Sequence, residues 1–239
     1  MNSKFLFILS NAFSGLEIFN DLLKEELIFN GNIHPINYVN HEITIEQLLI
    51  LKQDLISEDK FKYKGTILLP HLLQAIDHHF NNLYDFLDIK SDDCEFIIYS
   101  RKEIEEQIMS IAFAKHFFIW DFYFNYTLGI DTLLKNDIWM QNYEKIEKDL
   151  FLSYKVIDDF IKKSSTVPIV IDFETVLENK TNNFFYNYFD ITSEKIPLSY
   201  VNNYFSIKEN FQLHMPRLIN QKLNNAGVYL MDHENVSSK

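Results

Sequence analysis

The sequence predicts an α/β fold of three layers, with a central, mainly parallel sheet flanked by helices. Three observations carry this expectation. Strand-like and helix-like patterns alternate along the chain, the order that generates parallel sheets. The segment CEFIIYS (Cys94–Ser100) is short, apolar, rich in β-formers and bounded by charge. The opening FLFILSNAFSGLEIFNDLL (Phe5–Leu23) reads as a buried strand, a polar turn with one glycine, and an amphipathic helix.

Taken in order, the first strand covers Lys4–Leu9. A helix follows over Leu16–Leu27, with Ile18, Phe19, Leu22, Leu23 and Leu27 at helical spacing. Asn30–Gly31 ends it, and a second helix spans Ile45–Ile56. GTILLP (Gly65–Pro70) is a short strand, and His71–Leu87 reads as one helix. After the strand Cys94–Ser100, a helix starts near Glu103, with Ile104, Ile108, Ile111 and Ala112 on one face. Asn136–Lys163 reads as one long helix with an interruption expected near Leu152–Ser153. VPIVIDFETVL (Val167–Leu177) is a strand running into a turn or short helix. Beyond Asp190 the pattern weakens. One domain over residues 1–239 is expected, with 190–239 as a C-terminal extension.

Composition narrows the function. Of 239 residues, 47% are hydrophobic, including 22 Phe and 13 Tyr, enough for a large core. The net charge of −12 (34 acidic, 22 basic) argues against non-specific nucleic-acid binding, which depends on phosphate neutralisation by Lys and Arg. A lone cysteine, Cys94, excludes a disulfide framework within one chain and a Cys-rich zinc site. The apolar run after Lys4 stops at Ser10, short of a signal-peptide core. No apolar stretch approaches the roughly 18 residues of a membrane helix. A cytoplasmic location without membrane partners is the expectation. His71, Asp77 and His78 sit on a helical pattern without an H-E-x-x-H form, so no metal is expected.

The opening corner bears on chemistry. A strand–turn–helix unit directs unpaired helix N–H groups and positive dipole to the carboxyl edge of the sheet, where they can hold an anion. Ser14 can cap or donate, and Gly15 permits close backbone approach. The turn lacks the G-x-x-x-x-G-K-[ST] form. A capped helix, Ser14 with Glu17 three residues later, is the simpler reading.

A second segment adds to this. In IIYSRKEIEEQIMSIAFAKHFFIW, a strand ends in Arg101 and Ser110 follows nine residues later on the next helix. The segment resembles the signature of bacterial PAPS-dependent sulfotransferases of the trehalose-modifying type, roughly R-R-D-x-x-x-Q-A-x-S-x-x-x-A-x-x-x-G-x-W. Arg101, Lys102, Glu103, Gln107, Ser110, Ala114 and Trp120 fall on it without a gap. The resemblance covers about residues 4–180. It implies a P-loop-like sulfotransferase fold, and a nucleotide site in which Arg101 and Ser110 grip the 3′-phosphate and Ser14 and Gly15 serve the first loop. The cofactor would be PAPS, or its product adenosine 3′,5′-bisphosphate. The acceptor would be a hydroxyl of a small molecule or glycan, and a homodimer is compatible with the pattern. Convergence of Arg101 and Ser110 with the Ser14 corner is the geometric requirement. With Arg101 pointing instead into a salt bridge away from that corner, the nucleotide reading fails.

Several positions depart from the family. Phe13 replaces the loop arginine, Leu16 and Glu17 replace a hydroxyl pair, and Asn37 in HPINYV replaces the family's proposed general base. Asn cannot accept a proton as a base does. His34 and His41, on either side of Asn37, are the substitute base candidates. Lys64 is a candidate second cation. VIDFETVL resembles the family's late I-x-Y-E-D-L element, with Phe173 and Glu174 at the Y-E positions. A catalytically weakened relative kept for binding or assembly is the alternative.

Overall fold

A computed structural model describes residues 4–11, 14–25, 28, 42–57, 62–108, 111, 143–164, 166–177 and 184–191. The α/β expectation is met. Four strands, β1 (Phe5–Ser10), β2 (Lys64–Leu68), β3 (Cys94–Ser100) and β4 (Ile169–Asp172), form one sheet in the order β2-β1-β3-β4. Every pairing is parallel. β1 is apolar along nearly its whole length because helices cover both faces of the sheet.

Alternation of side chains then divides the core in two. Leu6 and Ile8 of β1 pack with α1 (Leu16–Glu25), α6 (Phe173–Leu177) and α7 (Phe184–Phe189) on one face. Phe7 and Leu9 pack with α2 (Ile45–Ser57), α3 (Pro70–Phe80), α4 (Leu83–Leu87) and α5 (Tyr143–Lys163) on the other. The first face is aromatic. Phe19 of α1 meets Tyr99 of β3 at 4.4 Å and Phe185 of α7 at 5.2 Å between ring centroids. Each such fully buried ring contributes on the order of 2–3 kcal/mol through removal from water.

Three boundaries differ from the sequence reading, each for a local reason. The helix expected over His71–Leu87 is two helices. Asn81 takes φ +66° and ends α3, and the Asn82 side chain accepts the Asp85 N–H at 2.9 Å to start α4. Pro70, read as the end of a strand, is the first residue of α3, where its missing N–H costs nothing. No interruption occurs at Leu152–Ser153. The Ser153 hydroxyl donates to the Asp149 carbonyl one turn back, at 2.9 Å, and α5 continues. The stretch 136–142 of that expected helix lies outside the described residues. A further local signal sets the start of α2. Thr44-x-x-Gln47 forms a capping box, with Thr44 N–H to Gln47 Oε1 at 2.9 Å and Gln47 N–H to Thr44 Oγ1 at 3.4 Å.

Gly15 joins β1 to α1 at φ +81°, and a Cβ there would overlap the Phe173 ring. Both backbone and space therefore require glycine. Gly15→Ala should lower the unfolding free energy by about 1–3 kcal/mol, measured by urea denaturation. A change below about 0.5 kcal/mol, the usual range for surface substitutions, would mean that Phe173 does not abut this corner.

Candidate functional site

The strand order fixes where a ligand has room. From β1 the chain moves to β2 on one side, then crosses to β3 on the other side of β1. The order reverses between β1 and β3, and open parallel sheets take ligands outside the carboxyl ends of their strands at such a reversal. Pairing of Ser10 with Tyr99 and of Ser100 with Asp172 brings to this edge Asn11 with Ser14–Gly15, Arg101–Glu103 and Asp172–Glu174. Among the described residues the buried polar side chains are Ser10, Asn11, Ser14, Thr66, Ser100, Arg101, Glu106, Gln107 and Glu174. All but Thr66 belong to this edge, so the polarity of the interior is concentrated at one place.

The first loop is held by its own hydroxyls. Ser10 Oγ donates to the Tyr99 carbonyl at 2.6 Å and lies 2.7 Å from Ser14 Oγ. Ser14 Oγ donates to the Asn11 carbonyl at 2.8 Å. The Tyr99 hydroxyl reaches the Gly15 carbonyl at 3.4 Å. Ser14 thus fastens the corner from within, and a ligand here would meet backbone N–H groups rather than its hydroxyl. Asn11 is 2% exposed, and its Nδ2 makes no hydrogen bond of ordinary geometry. Its neighbour, the Tyr154 hydroxyl on α5, falls short of one. A buried donor left unmade costs about 1–3 kcal/mol. The Tyr154 hydroxyl itself donates to Gln107 Oε1 at 2.9 Å. Burial raises the Tyr154 pKa, and polar contacts with Asn11, the Arg101 backbone and Gln107 partly offset the rise.

Arg101 closes the other side. It is one of two arginines in the chain (the other is Arg217) among 22 basic residues. Its Nη2 lies 3.3 Å from Glu106 Oε2, and its Nε lies 3.7 Å from Glu174 Oε1. The guanidinium sits 5.1 Å above the Phe173 ring, the same ring that abuts Gly15. Arg101 and the first loop thus share Phe173 as a neighbour, but the Glu106 and Glu174 ion pairs run outside that loop, the arrangement that counts against a nucleotide site. Glu174 also accepts the Lys102 N–H at 2.9 Å and the Glu103 N–H at 3.5 Å. Burial nevertheless pushes its pKa up, ahead of the opposing pull of these N–H groups and Arg101. Lys102 Nζ faces Asp172 at 3.4 Å and Thr175 Oγ1 at 3.1 Å. Against two cations, Arg101 and Lys102, stand Glu103, Glu105, Glu106, Asp172 and Glu174. The Glu105 pKa is raised by burial, with Glu103 and Glu106 adding to it.

Of the sequence-derived site residues, Ser14, Gly15 and Arg101 come to this one edge. Ser110, His34 and His41 lie outside the described residues, as do Phe13 and Asn37. Lys64 is corrected: it opens β2 opposite Phe5, at the amino edge of the sheet, and its Nζ donates to the Ile56 carbonyl at 3.2 Å. It is remote from the crevice because parallel strands put their starts and ends on opposite edges. Asn11, Glu106 and Tyr154 are site residues that sequence reasoning misses. Glu106 directly precedes the pattern residue Gln107, but nothing in its spacing marks it as buried. Among the described residues no helix is long and apolar enough to cross a membrane. Comparison with protein-family models finds no match, and comparison with curated proteins finds none.

The Glu174 environment gives a pH prediction. Its folded pKa is raised above the ordinary value of 4.5. The protonated carboxyl is the form that burial favours, so its contribution to stability is present below that value and is lost as pH rises through the raised one. Relative to Glu174→Gln, the wild-type protein should lose stability from about pH 4.5 upward, read by denaturant unfolding of both forms across that range. A difference that stays constant or grows with pH would contradict the dominance of burial.

Proposed function

We propose that this chain is a sulfotransferase-like protein of the P-loop-like sulfotransferase fold. On this reading it takes PAPS, or adenosine 3′,5′-bisphosphate, at the crevice between β1 and β3. The observation that supports it is placement: the Ser14–Gly15 corner and Arg101 lie at the same sheet edge, by the reversal of strand order, each against Phe173. Arg101 would hold a phosphate through its planar fork of donors. The start of α1 would offer N–H groups and dipole to a second anionic group. Asn11 Nδ2, buried without a well-formed hydrogen bond, would donate to a ligand oxygen. By the family resemblance, Ser110 joins Arg101.

Bound PAPS would supply the sulfuryl group, passed to a hydroxyl of a small molecule or glycan. The protein's part is positioning and electrostatic stabilisation, as in phosphoryl transfer. His34 and His41 are the candidates to take the acceptor proton. The acidity of the chain disfavours nucleic acid as a partner, and a cytoplasmic location belongs to the same reading.

Two observations favour a second reading, a catalytically weakened binder. Arg101 is already neutralised by Glu106 and Glu174, and Asn37 stands where the family places its base. Loss of a general base costs on the order of 10²–10⁴-fold in rate. Binding would then persist without useful turnover.

Calorimetric titration with adenosine 3′,5′-bisphosphate should show micromolar binding, weakened about tenfold or more in Arg101→Lys, which keeps the charge and loses the fork. Absence of heat at millimolar ligand would exclude both readings. Binding without desulfation of PAPS across a panel of hydroxyl acceptors would select the second.

A further inference from the structure

We infer that Glu106 is a built-in competitor for the anionic ligand at Arg101, an inference that rests on the reading of Arg101 as an anion seat. A guanidinium grips an oxyanion in a bidentate manner along one of two edges, Nε with Nη2 or Nη1 with Nη2. In this protein the first edge faces two carboxylates, of which Glu106 is hydrogen-bonded to it. Glu106 Oε2 lies 3.3 Å from Nη2 and Glu174 Oε1 lies 3.7 Å from Nε. Nη2 carries two N–H groups, one on each edge, so a phosphate or sulfate on the first edge displaces Glu106 and one on the second binds beside its charge.

The two carboxylates are not equivalent. Glu174 is tied to the backbone N–H groups of Lys102 and Glu103, and so has a structural task apart from Arg101. Glu106 comes from the helical residues 104–108 just after Arg101, and its charge is brought to the guanidinium in a setting where both side chains are at least nine-tenths buried. Low exposure keeps solvent from screening that charge. Glu106 therefore opposes a ligand anion through occupancy on the first edge and through repulsion on either. Lys102, turned to Asp172 and Thr175, does not offset it. The Glu106 charge thus lowers anion affinity at Arg101.

The test uses the full chain as wild type, Glu106→Gln and Glu106→Asp. Two probes are used: sulfate, followed by thermal shift, and adenosine 3′,5′-bisphosphate, followed by calorimetry. Glu106→Gln keeps an acceptor oxygen for Nη2 and removes the charge. It should bind sulfate and the nucleotide about tenfold more tightly or better, with Glu106→Asp between it and wild type. The gain should vanish when Arg101→Lys is added. It should not appear in Glu46→Gln, which removes the same charge from exposed α2.

Unchanged or weaker binding of both probes by a folded Glu106→Gln protein overturns the inference. If wild type binds the nucleotide but Glu106→Gln gains nothing, the nucleotide reading stands and the competitor falls. If Glu106→Gln gains sulfate while no form binds nucleotide, the competitor stands and the nucleotide reading falls. Should Glu106→Gln not fold, Glu106→Asp decides: tighter sulfate binding than wild type supports the inference, and equal binding overturns it.

Discussion

Everything at the candidate site depends on the double pairing of β1. It is hydrogen-bonded to β2 along one edge and to β3 along the other, and its side chains are buried on both faces. A strand held on four sides has little freedom to shift. A slip of one residue would exchange Leu6 and Ile8 with Phe7 and Leu9, moving each set into the other core. The point at which β1 ends is thereby fixed, and with it the start of the loop that carries Ser14 and Gly15. The same register sets Tyr99 opposite Ser10, which lets the Ser10 hydroxyl reach across to the Tyr99 carbonyl.

From that fixed end, Phe173 transmits position to charge. It begins α6 directly after β4, so the register of β4 against β3 determines where its ring lies. One side of the ring excludes any side chain at position 15, and Arg101 stacks over it. Backbone, aromatic ring and guanidinium are thus neighbours at the carboxyl edge. The first loop and Arg101 belong to different strands, yet neither can move far without the ring moving. Such coupling through packed groups is what a preorganised site requires.

The frame is legible in the sequence because its signals are local. Cys94–Ser100 is a strand with the expected bounds, and the apolar pattern from Leu16 marks α1. The break at Asn81–Asn82 is hidden because apolar spacing runs through it, from Ile76 to Leu83 and Leu87, while its cause is a single positive φ and a side-chain cap. Ser14, Gly15 and Arg101 are legible through motif spacing. Glu106 and Tyr154 are not, because their roles come from tertiary placement. Tyr154 lies on α5, 47 positions from the Gln107 it bonds. Periodicity assigns a residue to a face of its own helix and is silent about which strand end that face will meet.

The cluster of Arg101, Glu106 and Glu174 is hard to explain by stability alone. Buried ion pairs lose much of their attraction to desolvation, and apolar replacements of similar volume are often neutral or stabilising. The surrounding interior is built of Phe, Leu, Ile and Tyr, residues that would fill the same volume without charge. The chain otherwise draws its positive charge almost wholly from lysine, with Arg217 as the other arginine. Lysine would supply the charge but not a planar fork with donors on two edges. An arginine at this position lies beside a corner that requires glycine and an asparagine amide short of a hydrogen bond. On the proposed reading, that is the composition of a site that receives oxygen atoms from outside the chain. On the same reading its two carboxylates hold the fork in a defined plane, and an anion on the Nε–Nη2 edge displaces Glu106.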